Sequence, residues 1–280
     1  DEVIVLADSE PGRNVLVRGT DVEEGEQIVH RGEILSAGHA GLIAAAGMEA
    51  VRVYKLPKVA IIATGDEIIA PGEPFRSGAI FASNLITLSG FLRFRQIDVV
   101  MKVIKDQPEQ IRGTVAELLR ECDAILTIGG AWEGDKDYSL GVLDELGWEP
   151  LYHRVRIGPG KAVAFGLLEN KPVFCLPGGP PSNEMAFLQI AFPALLAMSG
   201  YPPAPLITVK AILTKEVGGQ KSWTQFIYAQ LQKQDGNLYV SPLQTKSRLK
   251  NMAGATALIK IPEGERFLSK DSWIDVQLLV

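Results

Sequence analysis

Val59-Ala60-Ile61-Ile62-Ala63, followed at once by Thr64-Gly65-Asp66-Glu67, is the stretch whose reading decides the fold. A short, β-branched apolar run closed by a glycine turn reads as a buried strand. The same pattern returns twice. Ala124–Ile128 is closed by Gly129-Gly130 on the way to Asp137, and Pro172–Leu176 is closed by Pro177-Gly178-Gly179-Pro180. Helix-like sequence follows each closure. In an open α/β sheet the loops at the carboxyl ends of the strands converge on one crevice, where ligands bind. Glycine allows close backbone approach and positive φ, and proline fixes a loop's shape. Loops of this kind, two of them carrying carboxylates, imply a phosphorylated or anionic small molecule held partly through metal. The glycines are expected to leave room for backbone contact with it.

Composition narrows the class. The chain has 280 residues, is 46% hydrophobic and 22% charged, and carries a formal net charge of −5. This is ordinary for a globular protein and offers no basic stripe for nucleic acid. Cys122 and Cys175 form no C-x-x-C pair and sit among apolar residues, so they read as buried thiols in a reducing, cytoplasmic setting. Met185–Met198, the longest apolar stretch, contains Gln189 and Pro193 and is too short for a bilayer, so no membrane role is expected.

Three regions are expected: a β-rich stretch over residues 1–57, an α/β domain over 58–203 and a small β domain over 204–280. In the first, Glu26–Ile34 reads as short β pieces. Ser36 would cap a helix over Ala37–Ala46 that Gly47 ends. The second alternates strand and helix patterns, the signature of a mostly parallel sheet between two helical layers. Its residues Ile111, Val115, Leu118, Leu119 and Cys122 recur at helical spacing and would face that sheet. After the stiff Tyr201–Pro205 segment the pattern turns to strands, with Asp235-Gly236 as a hairpin turn, giving a small barrel or sandwich.

Each candidate residue also has a plainer role open to it. Asp66 and Glu67 suit a turn after a buried strand. Asp106, ahead of Gln107, Pro108 and Glu109, matches a helix N-cap with a capping box, and Asp137 could cap the helix beginning at Tyr138. Lys161 could be a solvated surface lysine, and the Arg93/Arg95 pair reads as surface. His30, His39 and His153 are too scattered for zinc. Walker A, G-x-G-x-x-G and G-x-S-x-G motifs are all absent.

In combination the motifs are more specific. Thr64–Glu67, then Gly129-Gly130-x-x-x-Gly134-x-x-Asp137-Tyr138, then Gly158-Pro159-Gly160-Lys161 with Ala164-Phe165-Gly166, then Leu176–Pro180 resembles the molybdopterin molybdotransferase family, which includes MoeA and the gephyrin E domain. Gly19-Thr20-Asp21 and Ile261–Gly264 extend the resemblance over nearly the whole chain. It implies insertion of molybdenum from molybdate into adenylylated molybdopterin with release of AMP, in a homodimer. It implies catalytic roles for Asp21, Glu67, Asp106 and Asp137, with Glu67 and Asp137 holding Mg²⁺. Thr64, Gly65, Asp66, Gly129, Gly130, Arg154, Lys161, Pro177, Gly178, Gly179, Pro180 and Ser182 would line the ligand site.

The chemistry suits these residue types. Carboxylates hold Mg²⁺, which bridges phosphates and polarises the phosphoanhydride, while Arg154 and Lys161 attract anions. The dithiolene sulfurs of the pterin would capture molybdenum. The chain departs from the family in places. Gly158 replaces the first lysine of Lys-Pro-Gly-Lys-Pro, and Ala162 its last proline. Trp132 and Glu133 replace a small hydroxyl and an apolar residue. Gln107 replaces an acid, Gly179 replaces asparagine, and the amino-terminal segment of full-length members is expected to be missing. Two alternatives follow: a catalytically weak carrier of molybdopterin or finished cofactor, and a molybdopterin adenylyltransferase.

Overall fold

The structure, a computed structural model, describes residues 2–4, 6, 10–130, 138–201 and 206–279. The chain divides into two compact units, Asp1–Tyr54 and Lys55–Val280.

The first unit holds one helix, α1 (Ala37–Ala45). Ser36 Oγ accepts the His39 N–H at 3.2 Å while His39 Nδ1 accepts the Ser36 N–H at 3.2 Å, a reciprocal cap with histidine in the usual place of Glu or Gln. Its other described residues form no strand, so the β pieces expected over Glu26–Ile34 and the β-rich character of the region are corrected. The reason is that a strand needs a hydrogen-bonded neighbour and a face to bury. Ile43 is the one buried hydrophobic residue described in this unit, while Val15, Leu16 and Val17 lie open.

The second unit begins with β1 (Lys58–Thr64), a short parallel pair β2 (Ile68–Ile69) and β3 (Ile80–Phe81), α2 (Ser83–Phe94) and β4 (Asp98–Ile104). Then come α3 (Pro108–Glu121), β5 (Ala124–Ile128), α4 (Tyr138–Glu145), β6 (Glu149–His153), β7 (Ile157–Gly158), β8 (Ala164–Leu168) and β9 (Lys171–Leu176). The main sheet runs β4-β1-β5-β9-β8-β6, its first four strands parallel and β8 antiparallel to β9.

Alternation along β1 serves two layers. Val59, Ile61 and Ala63 pack with Leu85, Leu88 and Leu92 of α2, whereas Ala60 and Ile62 pack with Ile111, Val115 and Leu118 of α3 and Val142 and Leu143 of α4. That is the three-layer architecture the strand-like runs called for. The cap of α3 is Gln107 and not Asp106, because the residue before a proline is pushed out of the helical region: Gln107 is extended, with φ −117° and ψ 124°, and the helix starts at Pro108. Cys122 and Cys175 are free and buried, and burial pushes the Cys175 thiol up to about 12.

After β9 come α5 (Pro180–Ala186), one wide π turn (Phe187–Ala191) and α6 (Phe192–Met198). The π turn sits just before Pro193, which has no N–H to donate. The remaining strands are β10 (Thr208–Leu213), β11 (Val217–Gly218), β12 (Thr224–Gln234), β13 (Asn237–Pro242), β14 (Ala257–Ile261), β15 (Phe267–Leu268) and β16 (Trp273–Leu278), with α7 (Arg248–Gly254) between β13 and β14. The order β13-β10-β16-β14-β12 closes because β13 also pairs with β12, making a five-stranded barrel and not a sandwich. Asp235 and Gly236, both at positive φ, join β12 to β13 as a two-residue hairpin turn. Ile259, Ile261 and Ala229 fill the barrel, while Phe226, Tyr228 and Leu258 point out of it into the core beneath α2 and α5.

Candidate functional site

Strand pairing continues one residue past the ends of the central strands. The Gly65 N–H donates to the Ile104 carbonyl at 3.3 Å and the Gly129 N–H to the Leu176 carbonyl at 3.1 Å. The loops after β1, β4, β5 and β9 therefore leave the sheet side by side. A Cβ added at Gly129, where φ is +97°, would lie 3.1 Å from the Thr64 carbonyl oxygen, and one at Gly178 3.9 Å from Gly129 Cα. The three motif loops thus meet, as expected.

The room expected beside the glycines is largely taken by protein. A Cβ at Gly65 would sit 2.7 Å from Ile68 Cγ1, and one at Gly130 2.6 Å from Ser139 Oγ. These two glycines let the loops pack on one another. Gly179 has open space beside it and lines a cavity. Thr64 Oγ1 and Ser139 Oγ, at the edge of the same crevice, are buried with no hydrogen-bond partner among the described residues.

Two asparagines hold the proline loop. Asn84 Nδ2 donates to the Gly178 carbonyl at 2.8 Å, and Asn183 Nδ2 to the Pro177 carbonyl at 3.0 Å. Both side chains are buried. Pro180 and Pro181 start α5, where a missing N–H costs no helical bond. Asn84 lies 94 residues from its partner, and no sequence signal pointed to it.

The acids are less concentrated than the motifs suggested. Asp66 and Glu67 are exposed; the Asp66 carbonyl accepts from Arg76 at 2.5 Å, and Glu67 Oε2 folds back to within 2.9 Å of where a Gly65 Cβ would be. Asp106 is half-buried and follows Lys105 on the strand end that pairs with Gly65. Asp137 lies outside the described residues, as do Trp132, Glu133 and Gly134. Asp21 is exposed in a turn of the first unit. No group of three His, Cys, Asp or Glu side chains capable of holding a metal occurs among the described residues.

A cavity of about 580 Å³ opens between the α/β domain and the barrel. One wall is the Ile157–Ala162 turn with Pro177, Gly179 and Ser182. The other is Gly218, Gln220, Trp223 and the start of β12 through Ile227. The walls are joined at the base by β7, whose residues Ile157 and Gly158 pair with Thr224 and Gln225 of β12. Lys161 is the one charged side chain lining the cavity among the described residues. Its Nζ lies 5.8 Å from the Trp223 ring centroid, within cation–π reach. Gln225 Oε1 accepts the Gln220 N–H at 2.5 Å. Arg154, with φ +67° and its N–H on the Val163 carbonyl, is exposed and is not among the lining residues. Gln220, Trp223 and Gln225 had no signal in the sequence, since they lie in an ordinary polar stretch that only barrel closure brings here.

Behind the cavity, Glu184 of α5 is buried and accepts a hydrogen bond from the Tyr228 hydroxyl at 3.2 Å. Burial pushes the Glu184 carboxyl up to about 7, with the Tyr228 bond opposing it. Burial and the neighbouring carboxylate push the Tyr228 phenol up as well.

A three-layer α/β domain with glycine and proline loops at one crevice, backed by a small closed barrel, defines a pterin-cofactor-binding architecture when set beside known proteins. Residues 60–197 match the probable molybdopterin binding domain, and residues 210–279 match the MoeA C-terminal region (domain IV). The chain belongs to the MoeA family of molybdopterin biosynthesis proteins.

Molybdopterin molybdenumtransferase of Haemophilus influenzae is 30% identical over 191 residues, covering 68% of this chain and 47% of that protein. The protein of the same description from Bacillus subtilis is 26% identical over 271 residues, covering 96% of this chain and 63% of its own. The solved MoeA protein structure from Pyrococcus horikoshii superposes with a TM-score of 0.80 at 28% identity, covering 93% of this chain and 64% of that one. The chain thus spans about half to two thirds of the length of these relatives. Among the described residues no helix is long and apolar enough to cross a membrane.

Proposed function

We propose that this protein acts in molybdenum cofactor biosynthesis, inserting molybdenum from molybdate into adenylylated molybdopterin with release of AMP. The observation that carries this reading is the convergence of the Thr64–Glu67, Gly129-Gly130 and Pro177–Pro180 loops next to a cavity of about 580 Å³. The buried hydroxyls of Thr64 and Ser139, without a hydrogen-bond partner among the described residues, mark where these loops pack together beside the cavity. Lys161 supplies positive charge for an anion, and Gly65, Gly129, Gly130 and Gly178 let the three loops meet beside the cavity.

Mg²⁺ suits this donor set, since it takes one or two carboxylates, keeps waters and completes its shell with substrate phosphates. Glu67 and Asp137 would hold it, and it would neutralise charge on the departing AMP. The family resemblance gives Asp66 a ligand-binding role and Asp106 a catalytic one, and Asp21 would serve the site of a second copy in a homodimer. Open apolar side chains at Val15, Leu16 and Val17 support such an assembly. Two free, buried thiols are consistent with a reducing cytoplasm.

AMP release from adenylylated molybdopterin with molybdate and Mg²⁺ tests this reading. Wild-type release that falls about a hundredfold or more in Glu67→Gln and in Asp137→Asn supports it. A carrier is the second reading, favoured by Gly158 in place of the family's first lysine. Gly158 has no positive φ, and a Cβ there would meet only Gln225 Cγ at 3.6 Å and Nε2 at 3.7 Å, so a lysine fits. No release from wild type, with release gained in Gly158→Lys, would identify a carrier. The adenylyltransferase reading leaves the barrel matched to the MoeA C-terminal region without a purpose.

A further inference from the structure

Helix α5 touches all three parts of the cavity. Asn183 holds the Pro177 carbonyl of the proline loop at 3.0 Å, and Ser182 faces the cavity. A Cβ at Gly160 would fall 3.0 Å from the Ala186 nitrogen and 3.1 Å from the Ser182 carbonyl, so the Gly158–Lys161 turn lies directly on the helix backbone. The next residue after Asn183, Glu184, reaches the barrel through its 3.2 Å hydrogen bond with Tyr228, which follows the cavity residues Phe226 and Ile227 on β12.

From this geometry we infer that Glu184 and Tyr228 are positioning residues that set the separation of the cavity's two walls and thereby its affinity for the pterin ligand. Neither side chain lines the cavity, so each acts through the element that carries it. Both are buried, Glu184 at 4% and Tyr228 at 8% exposure, so a lost partner leaves a polar group with no water to replace it. The β7–β12 pairing joins the walls at their base and Lys161 lies on the Trp223 ring, so the Glu184–Tyr228 bond is the tie at the back of the cavity; two further ties among the described residues lie elsewhere. Gln189 and Gln277 exchange amide hydrogen bonds at 2.8 and 3.3 Å on the π turn and β16, and Arg156 meets Glu263 at 3.1 Å at an exposed rim. A sequence of alternating apolar residues would have served the packing alone; a carboxyl facing a phenol adds a fixed distance and direction.

This inference rests on the proposed function only for the identity of the ligand, so its test has two readouts. The first is amide hydrogen exchange without ligand, and the second is titration with molybdopterin followed by isothermal calorimetry. Tyr228→Phe and Glu184→Leu should raise amide exchange about tenfold at Ser182, Asn183 and residues 225–227, leave β1 and β5 at the wild-type rate, and weaken molybdopterin binding by about tenfold. Glu184→Gln keeps the acceptor and should restore both readouts to within about twofold of wild type. Unchanged exchange at the two walls in Tyr228→Phe, or exchange raised equally in β1 and β5, overturns the inference. Loosened walls with undiminished molybdopterin affinity overturn it too. If wild type binds no molybdopterin, the functional reading fails while the exchange data still judge the pair.

Discussion

Residues 15–17 and residues 59–63 are both short runs rich in β-branched and aliphatic side chains, yet they have opposite fates. Val59–Ala63 lies at the centre of a parallel sheet with helices on both faces, and Ile61 has 0% of its surface exposed. Val15, Leu16 and Val17 are in no strand, and Leu16 is 70% exposed. Local composition is similar in the two runs. What differs is the availability of neighbours, because β4 and β5 flank β1 in register whereas no strand is described in the first unit. A strand is a pairwise object, and its sequence signal is only half of the requirement.

The contrast can be broken by truncation. Ile61→Ala should lower unfolding stability by roughly 2–5 kcal/mol, since it removes methylenes from a filled core that cannot collapse around them. Urea denaturation measures this, and a loss under about 1 kcal/mol would mean the sheet core is far softer than its burial implies.

The next largest effect concerns Glu184, which the core surrounds but does not neutralise by charge. Its ordinary value is 4.5 and the folded protein holds it at about 7. Between these values the folded state binds more proton than the unfolded chain. This contribution to stability is therefore complete below about pH 4.5, is lost as pH rises to about 7, and is flat above that. Its size is on the order of 3 kcal/mol, at about 1.4 kcal/mol per unit. Denaturation curves collected from pH 5 to 8 should show a downward slope in wild type that Glu184→Gln lacks. Equal slopes in the two proteins would show that Glu184 titrates in the ordinary carboxylate range.

The smallest effect sharpens the contrast from the other side. Leu16→Ala should change unfolding stability by less than about 0.5 kcal/mol, as for an exposed surface site. If a second copy covers this region, amide exchange over residues 15–17 should slow as protein concentration rises while that of β1 stays constant. Exchange that does not depend on concentration would argue against the proposed homodimer.

The sheet, its flanking helices and the hairpin at Asp235-Gly236 were legible because each has a local signature: buried β-branched runs, the helical spacing of Ile111, Val115, Leu118 and Leu119, and residues suited to positive φ. The meeting of the Gly65, Gly129 and Gly178 loops was legible too, since parallel strands place their carboxyl ends on one edge. The asparagine clamps, the Trp223 and Gln225 wall and the Glu184–Tyr228 pair were not.

By itself, then, the sequence determined which segments become strands of the α/β domain, at which edge of the sheet the three motif loops meet, and that a β domain follows. Tertiary structure alone decided that the last strands close into a barrel, that the barrel forms half of the cavity, and that the described residues of the first unit form no strand. The physical reason is the range of the interactions involved. Periodicity and turn chemistry act over a few residues and can be read along the chain, whereas Asn84 reaching Gly178 across 94 residues, or Tyr228 reaching Glu184 across 44, depends on how separate elements pack.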